Sequence, residues 1–403
     1  MKDKKINLGF LPTRRASFPL DEAVKCKNII RDEIGKILPD QVRVLDIDWL
    51  NDQGIIHDDK DAAEVAEYFS HNKVDAIFAP HCNFGTENAV AKVAKMLGKP
   101  ILIWGPRDDA PLPSGKRLRD TQCGLFGTSK VLQRYKVPFT YIVNSNVTDP
   151  VFRKGLVNFI RAANVVKHTL NMRIGQVSSR PASFYTLIVN ENELLEKFGI
   201  EVVPFNLSTV VRLVNEALNN NKEEIEQVVQ EMKRTADFSS INEESTSKIA
   251  ALKWVLKNLI DEHQLQSVAC QCWDELQMQL GICSCFVHAS ITEEGFPFSC
   301  ESDIHGAISS GMLQAASLFE EPTFFADLTN RHPENDNAEL LWHCGVFPPS
   351  LSKKKEETKV EHHSILPSGA PGTCHWQLKN GNITVVRFDQ DNGNYSLFCG
   401  EGK

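Results

Sequence analysis

The chain has 403 residues, 42% hydrophobic and 24% charged, which is ordinary for a globular protein and enough for two or three domains. A net charge of −8 and a pI near 5.9 argue against nucleic acid or an anionic membrane as the main partner. No apolar run reaches the roughly 18 residues that cross a bilayer, and the polar lead Met1 to Lys5 is no signal peptide, so a cytoplasmic enzyme is the expected class.

The first segment alternates strands and helices. Ile6–Leu11, Val42–Ile47, Val74–Ala79, Pro100–Trp104 and Phe139–Val143 read as strands; Pro19–Leu38, Ala62–Asn72 and Glu87–Leu97 read as helices. Such alternation predicts a parallel sheet with helices on both faces, over residues 1–170. No Gly-x-Gly-x-x-Gly or Walker sequence follows any strand, so nothing supports a nucleotide. Ligands gather at the carboxyl ends of such strands, and this edge is charged. Thr13-Arg14-Arg15 follows the first strand and His81 to Glu87 the third; Arg107, Arg117 and Arg119 come after the fourth. Solvated loop charge and recognition of an anion or hydroxyl by arginine forks are both open.

A helix from Asp149 to about Asn171 leads to a second α/β unit, residues 171–264. Arg173–Ser179 and Ile200–Pro204 are its strands, with a helix over Glu191–Phe198; charged amphipathic helices follow at Leu207–Leu218, Lys222–Lys233 and Lys248–Glu262. A third segment, 265–403, opens with Val268–Leu276, read as helical. The 11 cysteines, an odd number spread over the chain, read as small buried apolar residues of a reducing compartment. Cys270-x-Cys272 and Cys283-x-Cys285 lack the wider spacing of structural zinc sites. The run Ile282–Val287 reads as a strand with Cys283 and Cys285 on one core-facing side.

The chemistry concentrates between Cys300-Glu301-Ser302-Asp303 and His343. From Ile304, apolar or small residues at Ala307, Ile308, Gly311, Met312, Ala315 and Leu318 mark one helical face. Ser302 is the expected N-cap, and Glu301 falls just outside the helix, free to point into a cleft. Capping alone is the bland account of both acids. Thr323–Asp327 reads as a short buried strand ending in a carboxylate, and Leu340–His343 as another ending in an imidazole. Two hard oxygen donors and an imidazole suit Mn²⁺, Mg²⁺ or Co²⁺ better than zinc. A core histidine bonded to backbone is the competing account of His343. Ser350–Lys359 reads as exposed loop, and Gly381–Phe388 with Tyr395–Cys399 as a hairpin turning at Asp391–Asn394.

The order Cys300-Glu301-x-Asp303-x-x-Gly306-Ala307, then Ala326-Asp327, then His343-Cys344-Gly345 with Pro348 behind, resembles the L-fucose isomerase and L-arabinose isomerase superfamily. Arg173-Ile174-Gly175 followed by Arg180-Pro181, and Gly381-x-Ile383-Thr384-x-x-Arg387, are similar to segments of the same family. The resemblance covers nearly the whole chain. It implies two Rossmann-like doubly wound α/β domains, then an α+β C-terminal domain with a small antiparallel β-barrel. It implies an aldose–ketose isomerase working through an enediolate, with a manganese ion (or Mg²⁺ or Co²⁺) held by Glu301 and Asp327, which also form the acid/base pair. His343 matches a metal ligand in the arabinose isomerases and a neighbour of the site in the fucose isomerases. Arg14 or Arg15 would contact substrate, in a homo-trimer or homo-hexamer whose active sites are lined by two subunits.

One departure bears on activity. The family takes a further histidine ligand from a Glu-His-His-type segment beyond the barrel strands, and this chain ends at Gly400-Glu401-Gly402-Lys403. Glu361-His362-His363 has the right letters ahead of those strands and reads as loop; His375 is a further candidate. The chain as written is therefore expected to isomerise sugars poorly. A deoxyhexose, a pentose or an anionic hexose all remain open as substrate. Two non-enzymatic readings stand beside the isomerase: a catalytically inactive sugar-binding or regulatory relative, and a periplasmic-binding-like sugar module.

Overall fold

The computed structural model describes residues 4–366 and 369–403; Met1 to Asp3, part of the polar lead, lie outside them. It divides into two compact units, residues 3–167 and 168–403. In the first, the strands are β1 (Ile6–Phe10), β2 (Val42–Leu45), β3 (Ala76–Pro80), β4 (Ile101–Trp104) and β5 (Thr140–Tyr141). The helices are α1 (Leu20–Ile37), α2 (Ala62–His71), α3 (Glu87–Leu97), α4 (Thr121–Arg134) and α5 (Pro150–Thr169).

All five strands are parallel, in the order β2-β1-β3-β4-β5. β3 and β4 are buried at every residue, as a sheet covered on both faces requires. The strand order reverses between β1 and β3, which makes their carboxyl ends the switch point where ligands collect in such sheets. The loops after them are joined there by bridges from Thr13 to Ile56 and to His81. Helix α4 approaches the β3 loop so closely that a Cβ on Gly124 would lie 1.7 Å from the Phe84 carbonyl oxygen.

The second unit holds β6 (Arg173–Val177), α6 (Glu191–Phe198), β7 (Glu201–Phe205), α7 (Leu207–Asn220), α8 (Lys222–Lys233), α9 (Glu243–His263) and β8 (Ser267–Cys270). It continues with α10 (Glu275–Leu280), α11 (Cys285–Glu293), β9 (Phe298–Cys300) and α12 (Ile304–Ala316). A parallel sheet runs β7-β6-β8-β9. The segment expected to begin a separate domain at residue 265 thus supplies half the strands of this sheet. Val268 lies in strand β8, where a helix was expected. Cys283 and Cys285 lie in a turn and at the head of a helix, where a strand was expected. Helix α11 is buried from Cys285 to Thr292, so it has no polar stripe, and the 3.6-residue period that marks a helix is missing from its sequence.

Three antiparallel pairs follow: β10 (Asp327–Arg331) with β11 (Glu339–Trp342), β12 (Lys359–His362) with β13 (Pro371–His375), and β14 (Ile383–Asp391) with β15 (Asn394–Gly402). Each is a two-stranded ladder among the described residues. The hairpin turn falls at Asn392-Gly393, as its sequence predicts. Residues Thr323–Ala326 are not strand; β10 starts at Asp327 itself. Among the described residues, no helix is long and apolar enough to cross a membrane.

Helix α12 is capped by Asp303, whose carboxylate accepts from the Gly306 N–H at 2.9 Å; Ser302, the expected cap, is used otherwise. The other Asp303 oxygen pairs with Arg387 of β14. His305 Nδ1 lies 3.0 Å from Asp389, and Ser309 Oγ accepts from the Phe388 N–H at 2.8 Å. The C-terminal hairpin is therefore clamped to α12 through charge as well as through Phe388 and Tyr395, which stack on each other and meet Phe198 edge-on. Asp303→Ala removes a cap, about 1 kcal/mol, and leaves the half-buried Arg387 guanidinium with Asp389 as its remaining carboxylate, about 1–2 kcal/mol more. A loss of about 2–3 kcal/mol in denaturant unfolding is expected, and a smaller one for Asp303→Asn, which keeps the cap. Asp303→Ala unfolding together with the parent protein would remove Asp303 as the clamp.

Candidate active site

Strand β9 delivers Cys300 to the sheet edge, and the chain turns there through two consecutive left-handed residues, Glu301 (φ 55°) and Ser302 (φ 57°). Neither is glycine, so each costs of order 1 kcal/mol or more, and the surroundings must hold them. Ser302 Oγ faces the carbonyls of Val177 and Ser178 at 3.2 and 3.1 Å, beyond the end of β6. The Asp303 N–H bonds the Cys300 carbonyl at 3.0 Å. This turn swings Glu301 out of the strand while α12 begins behind it.

Glu301 Oε1 lies 3.8 Å from His343 Nε2 and accepts from the Cys272 thiol at 3.6 Å. His343 is buried just past β11, its ring edge-on to Phe325. Asp327 pairs across the ladder with Trp342, the neighbour of His343, and its charge acts on both Glu301 and His343. The structure puts His343 against Glu301, while Asp327 acts on both through its charge and is not within 4.8 Å of the two as a three-donor group. Asp327 is solvent-exposed, whereas Glu301 is largely buried and His343 buried.

Burial pushes the Glu301 carboxyl up to about 7, with Cys344 and Asp327 adding to the rise and His343 opposing it. Burial would lower His343, but the Cys344 thiolate, Glu301 and Asp327 outweigh it and raise the imidazole to about 9. The Cys344 thiol is held below its ordinary range by hydrogen bonds from Cys285 first, then from His343 and His363. Its sulfur lies 3.5 Å from Cys285 Sγ and 3.7 Å from His343 Nδ1, which also faces the Gly345 N–H at 3.3 Å. Nδ1 accepts from that N–H, so the Gly345 amide and the Cys344 sulfur hold the ring with Nε2 toward Glu301. Two carboxylates and this imidazole fit a hard divalent cation.

Several neighbours are invisible in the sequence. Cys272 and Cys300 flank Glu301 because they follow the ends of adjacent strands, and nothing in their spacing announces it. Glu361 and His362, expected in a loop, lie in strand β12, and His363 comes next, buried beside Cys344. Its Nδ1 accepts from the N–H groups of Ile365 and Leu366 at 3.1 and 3.0 Å. His375 is exposed and lies 3.7 Å from Glu361.

Arg14 and Arg15 belong to the other unit. The Arg15 guanidinium sits 4.1 Å over the Phe84 ring, bonds the Gly85 carbonyl at 3.1 Å and lies 3.6 Å from Glu87. Arg14 is only 9% exposed, its Nε has no hydrogen-bond partner, and no carboxylate pairs with it among the described residues. Burial lowers its pKa. Arg117 and Arg119, by contrast, are met by Asp120 and by Asp108 and Asp109.

Residues 9–169 match the fucose/sulfoquinovose isomerase N-terminal domain family. The chain is 26% identical over 331 residues to the sulfoquinovose isomerase of Priestia megaterium, covering 82% of this chain and 72% of that one. It is 24% identical over 329 residues to the sulfoquinovose isomerase of Alkalicoccus urumqiensis, again covering 82% and 72%. Over these stretches the chain is similar to the fucose isomerase-like superfamily of aldose–ketose isomerases. A periplasmic solute binding protein from Actinobacillus succinogenes 130z with bound D-allose aligns with 79% of this chain and 94% of its own. Its TM-score of 0.20 and identity of 13% carry no argument.

A carboxyl raised above its unfolded value near 4.5 favours the folded state most while protonated. The Glu301 contribution is therefore full below that value and falls as pH rises through about 7. In metal-free protein, Glu301→Gln should gain about 1–2 kcal/mol relative to the parent between pH 5 and pH 6.5, below the range in which His343 titrates in the unfolded chain. Denaturant unfolding at the two pH values checks this, and parallel stability curves would show that the Glu301 carboxyl is not desolvated in the folded chain.

Proposed function

We propose that this protein is a metal-dependent aldose–ketose isomerase whose substrate is a sulfonated or otherwise anionic hexose. The observation that carries the reading is the Glu301–His343 pair, with the Asp327 charge acting on both, in a chain whose relatives are sulfoquinovose isomerases. Arg14 supports the anionic substrate: a buried guanidinium at a ligand-collecting sheet edge, with no carboxylate of its own, is costly unless an anion meets it.

A divalent cation, Mn²⁺ foremost, held by Glu301, Asp327 and His343 would supply Lewis acidity to the oxygens on C1 and C2. The protein residues move the protons. From aldose to ketose one carboxylate removes the proton from C2 and returns it to C1, while the O2 hydroxyl proton passes to O1, so no atom is gained or lost. Glu301, largely buried and aimed out of the strand turn, is the carboxylate placed to accept and release that proton. Asp327, open to solvent, suits the hydroxyl proton and its exchange with water. The Cys344 sulfur and the Gly345 N–H at Nδ1 orient the His343 ring so that Nε2 faces Glu301. A homo-trimer or homo-hexamer with sites lined by two subunits accompanies this proposal.

Proton exchange at C2 in D₂O with added Mn²⁺, run on sulfoquinovose, 6-deoxyhexoses and pentoses, tests the reading. Exchange is expected on the sulfonated sugar, falling about 10²- to 10⁴-fold or more in Glu301→Gln and in Asp327→Asn, with weakened metal binding in both. Unchanged metal content and activity in both variants would overturn it; sugar binding without exchange would favour the non-catalytic sugar binder. Arg14→Ala should raise KM for the sulfonated sugar by about tenfold or more, some 1.4 kcal/mol, and change that of a neutral aldose little. Equal effects on both sugars would remove Arg14 as the anion contact. Light scattering reads the assembly, and a fully active monomer would exclude the shared site.

A further inference from the structure

Glu301 faces a second set of donors that the isomerase reading leaves unused. Parallel strands β8 and β9 place Cys270 opposite Cys300, and two residues past Cys270 the Cys272 thiol reaches Glu301 Oε1 at 3.6 Å. The Cys272 and Cys300 thiols hydrogen-bond each other. One ligand atom from each of Cys272, Cys300 and Glu301 lies within 4.8 Å of the other two. Tetrahedral zinc, with bonds of about 2.3 Å to sulfur and about 2.0 Å to oxygen, spans a sulfur–oxygen edge of about 3.5 Å. The observed separation is such an edge.

Cys272 is 2% exposed and Cys300 0%, and both border the apolar core, but their sulfurs also meet polar groups: Cys272 the Glu301 carboxylate at 3.6 Å and Cys300 the His288 Nδ1 at 3.6 Å. A thiolate beside that carboxylate is disfavoured until a cation joins them, and binding then releases the thiol protons to solvent with no redox step.

We propose that Cys272, Cys300 and Glu301 form a site for a soft divalent cation, zinc or cadmium, which takes Glu301 away from the hard-cation set and so inhibits the isomerase. Zinc lies above manganese in affinity for most donor sets, and two thiolates widen the gap. The site is incomplete as a closed four-donor cage, so the ion would retain water and exchange. Thiophilic metals then act as reversible inhibitors, relieved by a chelator.

The test uses the full chain with Cys123→Ser and Cys399→Ser, which removes the two exposed thiols, and Co²⁺ as the probe. One Co²⁺ per chain should give thiolate-to-cobalt charge-transfer absorption in the near ultraviolet, displaced by Zn²⁺ or Cd²⁺. Cys272→Ser and Cys300→Ser should lose or halve that absorption and weaken zinc more than about 100-fold, while Cys283→Ser, a buried thiol elsewhere, keeps it. Glu301→Gln guards against misfolding of the serine variants: it should keep the thiolate absorption while weakening the metal at least about tenfold. A cobalt spectrum without thiolate absorption, or absorption that persists unchanged in both serine variants, overturns the proposal. Mn²⁺-supported proton exchange is read separately, so the soft-metal site and the isomerase reading can fail independently.

Discussion

The turn from Cys300 to Asp303 is the constraint on which the rest of the second unit depends. Two left-handed non-glycine residues in succession would not persist in isolation. They persist because Ser302 is bonded to carbonyls beyond β6, because Asp303 caps α12, and because Arg387 of the C-terminal hairpin holds the far side of the same carboxylate. Strand, helix and hairpin thus fix one another through four residues. The residue left without a structural task in that turn is Glu301, and its carboxylate is what the fold presents.

The surroundings of that carboxylate are unusual in being both acidic and thiol-rich. His343 and Asp327 arrive from one ladder; Cys272 and Cys300 arrive from the parallel sheet. Burial makes a lone charge on Glu301 costly, and every neighbour alters that cost: imidazolium lowers it, thiolate and Asp327 raise it. A group so poised changes protonation near neutrality, which suits a proton carrier, and it also binds cations of more than one hardness. Cys344 matters through His343, not through any direct contact made for substrate. Cys285 and His363 in turn hold its sulfur.

The first unit uses a different device. Its five-stranded order puts the break between β1 and β3, and the loops there are tied together through Thr13, Asn83 and Thr86. Arg15 is consumed in that scaffold by Phe84, Gly85 and Glu87, whereas Arg14, one residue earlier, is buried without a carboxylate. Adjacent arginines in the sequence therefore have unlike roles, and only the direction of each side chain at the strand end separates them.

The sequence by itself determined the parallel α/β character of the chain. Apolar runs at β3 and β4 and amphipathic helices such as α7 carry their own period, which is a local property. It determined the C-terminal hairpin through Asn392-Gly393, and it marked Glu301, Asp327, His343 and Arg14 by residue type. It failed where burial is complete on all sides, as at α11, or where a segment is short and set by partners, as at β8 and β10, because no period survives there. Only tertiary structure decided that β8 and β9 finish the sheet begun by β6 and β7. The same decision placed Cys272 beside Cys300, moved the cap from Ser302 to Asp303, and set His363 behind Cys344. Each of these depends on contacts between residues far apart in the chain, and spacing along a sequence carries no record of which strand ends will meet.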